Sequence, residues 1–128
     1  MRLLLDTYAF LWWVTDDSQL STTAREAIGN ESNEVFVSAA SAWGISIKTR
    51  IGKLKGISHL LKKYNELIVA DDFLHLPITH LHCLRAGSFD WEHKDPFDRM
   101  LASQSQLEKL RLVSRDPVFQ SFKISLFW

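Results

Sequence analysis

Arg2-Leu3-Leu4-Leu5-Asp6-Thr7-Tyr8-Ala9-Phe10-Leu11-Trp12-Trp13-Val14 is the stretch that decides the fold. The apolar run Arg2–Leu5 reads as a buried strand. It ends at Asp6 and passes with no linker into Tyr8–Val14, a predicted helix. A short apolar strand feeding a helix is the opening of an α/β unit, whose strands are covered on both faces.

The same alternation continues outward. Ser21 is placed to cap a helix over Thr22–Ile28, closed by Gly29. Glu34–Val37 is a second strand. Ser38–Ile51 has helical spacing, with Ala39, Ala40, Trp43, Ile47 and Ile51 recurring at three and four residues and Gly52 placed to stop it. Ile57–Val69 is a further amphipathic helix, with Leu60, Leu61, Tyr64 and Ile68 on one face. Leu74–Leu76 is a short strand ended by Pro77, and Thr79–Ala86 a helix with Gly87 behind it. Asp95-Pro96 opens a helix running to about Lys109. Arg111–Val113 is a strand that delivers Ser114, Arg115 and Asp116 to its end, and Ile124–Phe127 is a last edge strand. Strands alternating with helices imply one α/β layer sandwich around a parallel sheet. The 128 residues make a single domain, 1–128, with no repeat or linker.

Composition excludes several classes. Fifteen basic residues balance fifteen acidic ones, so the chain does not grip nucleic acid by bulk charge. A local basic patch would have to do that work, and Lys48, Arg50, Lys53, Lys55, Lys62 and Lys63 supply one, although a solvated helix face is the plainer use of most of them. Cys83 is the only cysteine, which rules out an intrachain disulfide and fits a reducing compartment. No Cys/His cluster suits zinc. No run approaches the ~20 apolar residues of a membrane span. The expectation is a cytoplasmic protein with no membrane association.

The chemistry lies in carboxylates. Asp6 follows the first strand, Asp116 follows the strand Arg111–Val113, and Asp98 sits in the first turn of the helix before that strand. Ligands of open α/β sheets bind outside the carboxyl ends of the strands, where all three acids could converge. Two carboxylates about 4 Å apart repel by roughly 4 kcal/mol at an effective dielectric near 20. Three together must take up protons or a cation, and all-oxygen ligands favour Mg²⁺ or Mn²⁺. Such ions polarise phosphodiester oxygens and activate water, which makes phosphodiester hydrolysis the natural reaction. Each acid also has a local structural use. Asp6, like Asp95 before Pro96, could cap the helix after it. Asp98 could serve the helix dipole, and Asp116 before Pro117 could serve a turn.

These residues resemble a known family. Leu3-Leu4-Leu5-Asp6-Thr7 with Ala9-Phe10-Leu11-Trp12-Trp13 looks like the opening of VapC-type PIN-domain toxins. Val37-Ser38-Ala39-Ala40-Ser41-Ala42-Trp43, followed by Ile45 and Lys48, is similar too. Asp95-Pro96-Phe97-Asp98-Arg99-Met100-Leu101-Ala102 and Leu112-Val113-Ser114-Arg115-Asp116 complete a match in the right order over nearly the whole chain. The resemblance implies a three-layer sandwich with a parallel sheet of four or five strands. It implies a Mg²⁺- or Mn²⁺-dependent endoribonuclease, the toxin of a type II toxin–antitoxin pair, held by a small VapB-like antitoxin and forming homodimers. The family's acids fall on Asp6, Asp98 and Asp116, expected as catalytic residues and metal ligands. Ser114 matches the small hydroxyl residue that supports the site. Lys48, Arg50 and Arg99 are the candidate RNA contacts.

One departure is decisive. After Trp43 the family pattern expects a glutamate, and here stands Gly44. Glycine inside a helix costs about 1 kcal/mol relative to alanine. Gly44 reads either as close packing against a neighbour or as loss of an acidic ligand, by decay or by selection against a harmful intact toxin. The second reading implies reduced cleavage, and its extreme is a PIN-fold module that holds its antitoxin, and RNA, without cutting. A phospho-accepting receiver domain would need adjacent acids after the first strand, and a haloacid-dehalogenase-like phosphatase a second Asp at position 8. Thr7 and Tyr8 exclude both. Of the five tryptophans, core packing is the default use, although the adjacent Trp12 and Trp13 cannot both face inward, so one is expected at an interface.

Overall fold

The computed structural model describes residues 1–90 and 92–128. Trp91, expected in the core, lies outside the described residues. Five strands form one parallel sheet: β1 (Arg2–Leu5), β2 (Glu34–Ser38), β3 (Leu74–Leu76), β4 (Arg111–Val113) and β5 (Leu126–Phe127), in the order β3-β2-β1-β4-β5. The strand alternation splits the core in two. Leu3, Leu5, Val35, Val37 and Val113 face one apolar layer, and Leu4, Leu76 and Leu112 face the other.

Helices cover both faces. The first layer receives α1 (Thr7–Val14), α2 (Thr22–Gly29) and α3 (Ala39–Arg50) through Phe10, Ile28 and Ile45. It also receives Ile68 from α5 (Tyr64–Ala70), which follows α4 (Ser58–Lys62). The second layer receives α7 (Pro96–Glu108) through Leu101 and Ala102, with α6 (His80–Ser88) packed against α7. Phe119 and Phe122 close it from a 3-10 helix over Pro117–Phe122. The sandwich and the sheet are as expected, and no described helix is long and apolar enough to cross a membrane.

Two local expectations are corrected, and one element is additional. The helix expected over Ile57–Val69 is two short helices that meet at Lys63, whose φ of −110° and ψ of 17° leave the helical region. Neither Gly nor Pro marks that break; Leu61 and Tyr64 each dock on the core and set it from outside. The 3-10 helix after Pro117 was not foreseen. The inward face of α3 is turned by about one residue. Ala40, Ser41, Gly44 and Ile45 are buried, whereas Trp43 is 63% exposed and Ile47 and Ile51 face solvent. Small residues on that face let α1 approach, and Thr7 Oγ1 donates to Ser41 Oγ at 3.0 Å.

Tyr64 packs edge-on against Phe10, with centroids 5.6 Å apart. Its buried hydroxyl has no hydrogen-bond partner among the described residues, and burial pushes its pKa up to about 12. A buried, unsatisfied hydroxyl costs roughly 1–3 kcal/mol. Tyr64→Phe is therefore expected to fold with an unchanged or higher midpoint in chemical denaturation. A midpoint lowered by the equivalent of 1 kcal/mol or more would show that the hydroxyl is satisfied.

Candidate active site

The strand order reverses between β1 and β4, since the chain leaves β1 toward β2 on one side and returns as β4 on the other. In open α/β sheets the crevice outside the carboxyl ends of the strands at such a point is the natural ligand site. Asp6, Ser114 and Asp116 stand there because β1 and β4 end side by side, with the Asp6 N–H donating to the Val113 carbonyl at 3.1 Å. The first turn of α7 brings Asp98 to the same place. Asp6, Asp98 and Asp116 line one pocket of about 170 Å³, together with Tyr8, Gly44 and Lys48.

Each acid also performs its local structural task. Asp6 Oδ1 accepts from the Ala9 N–H at 2.7 Å and caps α1. Asp116 Oδ1 accepts from the Val118 N–H at 3.0 Å and caps the 3-10 helix. Asp95 caps α7 through the Phe97 and Asp98 N–H groups. Capping and pocket lining coincide because a helix N-terminus at a strand's carboxyl end aims its cap residue at the crevice. Ser114 is buried and works between the acids. Its side chain hydrogen-bonds Asp6, and its Oγ accepts from the Asp116 N–H at 3.1 Å.

The electrostatics are those of buried acids close to one another. Burial raises the Asp6 pKa, against the hydrogen bonds from Ser114 and Ala9, and Asp116 raises it further. Burial is also the largest influence on Asp98, followed by repulsion from Asp95 and Asp116; Lys48 opposes the rise, and the carboxyl reaches about 7. The donor set is hard oxygen and suits a divalent cation such as Mg²⁺ or Mn²⁺. Among the described residues, however, no three His, Cys, Asp or Glu side chains form a ready metal cluster. Two of the three carboxylates hold backbone N–H groups, and position 44 offers no donor.

Gly44 is neither a packing nor a backbone requirement. A Cβ there would meet the Phe97 ring at 3.5 Å, an ordinary contact, and the residue sits in regular helix. Close packing therefore does not explain the glycine. Lys48, one turn later, is half-buried, lines the pocket and holds its Nζ 4.7 Å from the Tyr8 ring centroid. Arg50 is exposed at the end of α3 and does not line the pocket. Arg99 is a correction: its guanidinium donates to the carbonyls of Ala86, Gly87, Phe89, Asp90 and His93. It ties the end of α6 and the following loop to α7, and that use leaves it no fork for RNA.

Sequence reasoning missed Tyr8 as a pocket wall and Asp95 as a source of charge on Asp98. The Asp95-Pro96-Phe97-Asp98 spacing signals the second, because a cap residue and a residue three positions on share one turn.

Two outcomes follow. Gly44→Ala, which keeps ordinary contacts and gains about 1 kcal/mol of helix propensity, should raise Tm by about 3–5 °C. An unchanged or lower Tm would mean that position 44 does not tolerate a Cβ. Asp98 titrates near 3.8 when unfolded and near 7 when folded, so the folded chain binds more protons between those values. The stability that Asp98 contributes is then full below 3.8 and lost as pH rises through about 7. In metal-free buffer the parent should lose Tm relative to Asp98→Asn as pH rises over that window. Parallel Tm–pH curves for the two proteins would show that neither burial nor the neighbouring acids raise the Asp98 carboxyl in the fold.

Comparison with known proteins agrees with this geometry. The PIN domain family matches residues 3–124. No curated protein matches the chain. Among solved structures, the chain is similar to VapBC2 from Rickettsia felis bound to a DNA fragment from their promoter, with a TM-score of 0.71 and 14% identity over 100% of this chain and 99% of that one. It is also similar to FitAcB from Neisseria gonorrhoeae, with a TM-score of 0.67 and 18% identity over 98% of this chain and 96% of that one. FitAB bound to an IR36 DNA fragment gives a TM-score of 0.68 and 16% identity over 98% and 93%. With the family matched over almost its entire length and the acids at the sheet's switch point, the chain belongs to the PIN-domain family.

Proposed function

We propose that this protein is the toxin of a type II toxin–antitoxin pair, a metal-dependent endoribonuclease whose activity is reduced because Gly44 stands where an acidic ligand is expected. One observation carries the reading: Asp6, Asp98 and Asp116 line a single pocket that Gly44 also lines. Asp6, Asp98 and Asp116 would hold Mg²⁺ or Mn²⁺. When bound, the ion supplies charge neutralisation and polarisation of a phosphodiester group.

The chain's own residues do the rest. Ser114 fixes the Asp6 carboxylate toward Asp116. Asp98, whose carboxyl is raised to about 7 by burial and then by the neighbouring acids, can keep or release a proton at its carboxyl oxygen in the physiological range. Lys48 places a positive charge at the wall of the pocket, where an RNA phosphate would pass. The net charge of zero agrees with contact made locally rather than through a broad basic face.

The solved VapBC2 assembly supports a VapB-like antitoxin as the partner. Its seat would be the groove near α1 and α4, with a basic side chain reaching the acids in place of the cation. A homodimer and a cytoplasmic site of action complete the proposal. The second reading, a PIN-fold module that binds antitoxin or RNA without cutting, draws on the same Gly44.

Gly44→Glu separates the two. Changes around a metal site alter affinity or activity by roughly 10–100-fold, and restoring a direct ligand should raise Mn²⁺-dependent RNA cleavage by at least the lower figure. The gain should vanish with chelator and in the double variant with Asp98→Asn. If the restored protein cuts RNA no better than the parent, the missing-ligand explanation fails.

A further inference from the structure

The acid pocket has a neighbour that the proposed chemistry does not use. A second cavity of about 370 Å³ shares Asp6, Tyr8 and Asp116 with it and adds Trp12, Arg115 and Pro117. Its floor is aromatic. Tyr8 and Trp12 lie tilted with ring centroids 5.9 Å apart, and Trp128 meets Trp12 edge-on at 6.0 Å. Trp12 is thus braced from two directions. The Arg115 guanidinium lies over its ring, 4.5 Å from the centroid, and Lys48 lies over Tyr8. The four side chains form a ladder of cation, ring, ring and cation along the rim of the acidic pocket.

We propose that this shelf is a base-stacking subsite for single-stranded RNA, in which the nucleotide beside the phosphate at the acid pocket lays its base on Trp12. The inference rests on the nuclease reading for its register, not for its chemistry. Unpaired bases are held by aromatic faces and by arginine planes, and the backbone between them by cations. Arg115 is planar, exposed, and sits where a stacked base would lie. Beyond the ring, its Nη2 donates to the Gln19 side-chain oxygen at 2.9 Å, and its charge acts on the Asp6 carboxylate. An incoming base would move the guanidinium off Trp12 and leave it free to meet a phosphate. Arg115 and Lys48, at the two ends of the ladder, suit the phosphates on either side of a stacked base, whereas a basic antitoxin side chain would be drawn past the rings to Asp6 and Asp116.

The test uses the full chain and a short single-stranded RNA carrying 2-aminopurine, whose fluorescence is quenched by stacking, in chelator so that nothing is cut. The parent should quench the probe and bind it more tightly than the same sequence as a duplex. Trp12→Ala should lose the quench and about tenfold in affinity, as expected for one base–aromatic stack, and Trp12→Phe should recover most of both. Because Trp12→Ala also removes a packing partner of Trp128, Arg115→Ala gives a second measure. It should weaken single-strand binding and lower the slope of log affinity against log salt by about one.

Failure can be assigned. If the parent neither binds nor quenches the probe, or Trp12→Ala and Arg115→Ala bind it as the parent does, the shelf is not a base site. If an arginine-containing peptide, and not RNA, is the ligand lost on changing Trp12, the surface belongs to a protein and the proposal is overturned. Stacking that depends on Trp12, with no cleavage by the parent or Gly44→Glu, would keep the shelf and remove the nuclease. Asp98-dependent cleavage with Trp12-independent binding would do the reverse.

Discussion

The hydrogen bonds at the end of β1 set the geometry of everything around the site. Asp6 receives the Ala9 N–H and the Ser114 hydroxyl, and Ser114 in turn receives the Asp116 N–H. Through this chain of contacts the start of α1 is fixed to the end of β4. The buried carboxylate tolerates its position because donors surround it, as buried polar groups require. The same donors aim it at the crevice, so one set of bonds both begins a helix and orients an acid.

Crowding of like charge is the second constraint. Asp98 enters the crevice from α7, whose own cap, Asp95, adds a further negative charge within the same turn. Protons or cations relieve such a cluster. Lys48, which lines the same pocket, supplies part of that relief. Gly44 matters in this setting because its position faces the ring of Phe97 and the pocket, yet neither its contacts nor its backbone demands a glycine. A residue that costs helix stability and fills no steric need is what the proposed loss of an acidic ligand would leave.

The aromatic residues divide along similar lines. Trp13 closes against Phe73 and donates to Asp71 at 3.0 Å, which makes it a structural residue at the far end of α1. Trp12, its neighbour, turns toward Tyr8 and Trp128 beside the acids. Adjacent positions on a helix point about 100° apart, so the pair serves two different surfaces. Trp43 serves a third, lying on Phe97 while remaining exposed.

The sequence by itself determined the alternation of strands and helices, the parallel sheet, the caps at Asp6, Ser21 and Asp95, and the departure at Gly44. These are local properties: short apolar runs, helical spacing, a proline at a helix start, a residue out of pattern. Only the tertiary structure decided which way α3 faces, since Ala40, Trp43, Ile45 and Ile47 offer apolar atoms all round and the contact of Ser41 with Thr7 of α1 and the burial of Ile45 select among them. It also decided the division of the helix at Lys63, the use of Arg99 to hold five carbonyls, and the meeting of Tyr8, Trp12, Arg115 and Trp128. Those outcomes depend on contacts between residues more than a hundred positions apart, such as Trp12 and Trp128, and spacing along the chain carries no information about which distant surfaces a side chain will meet.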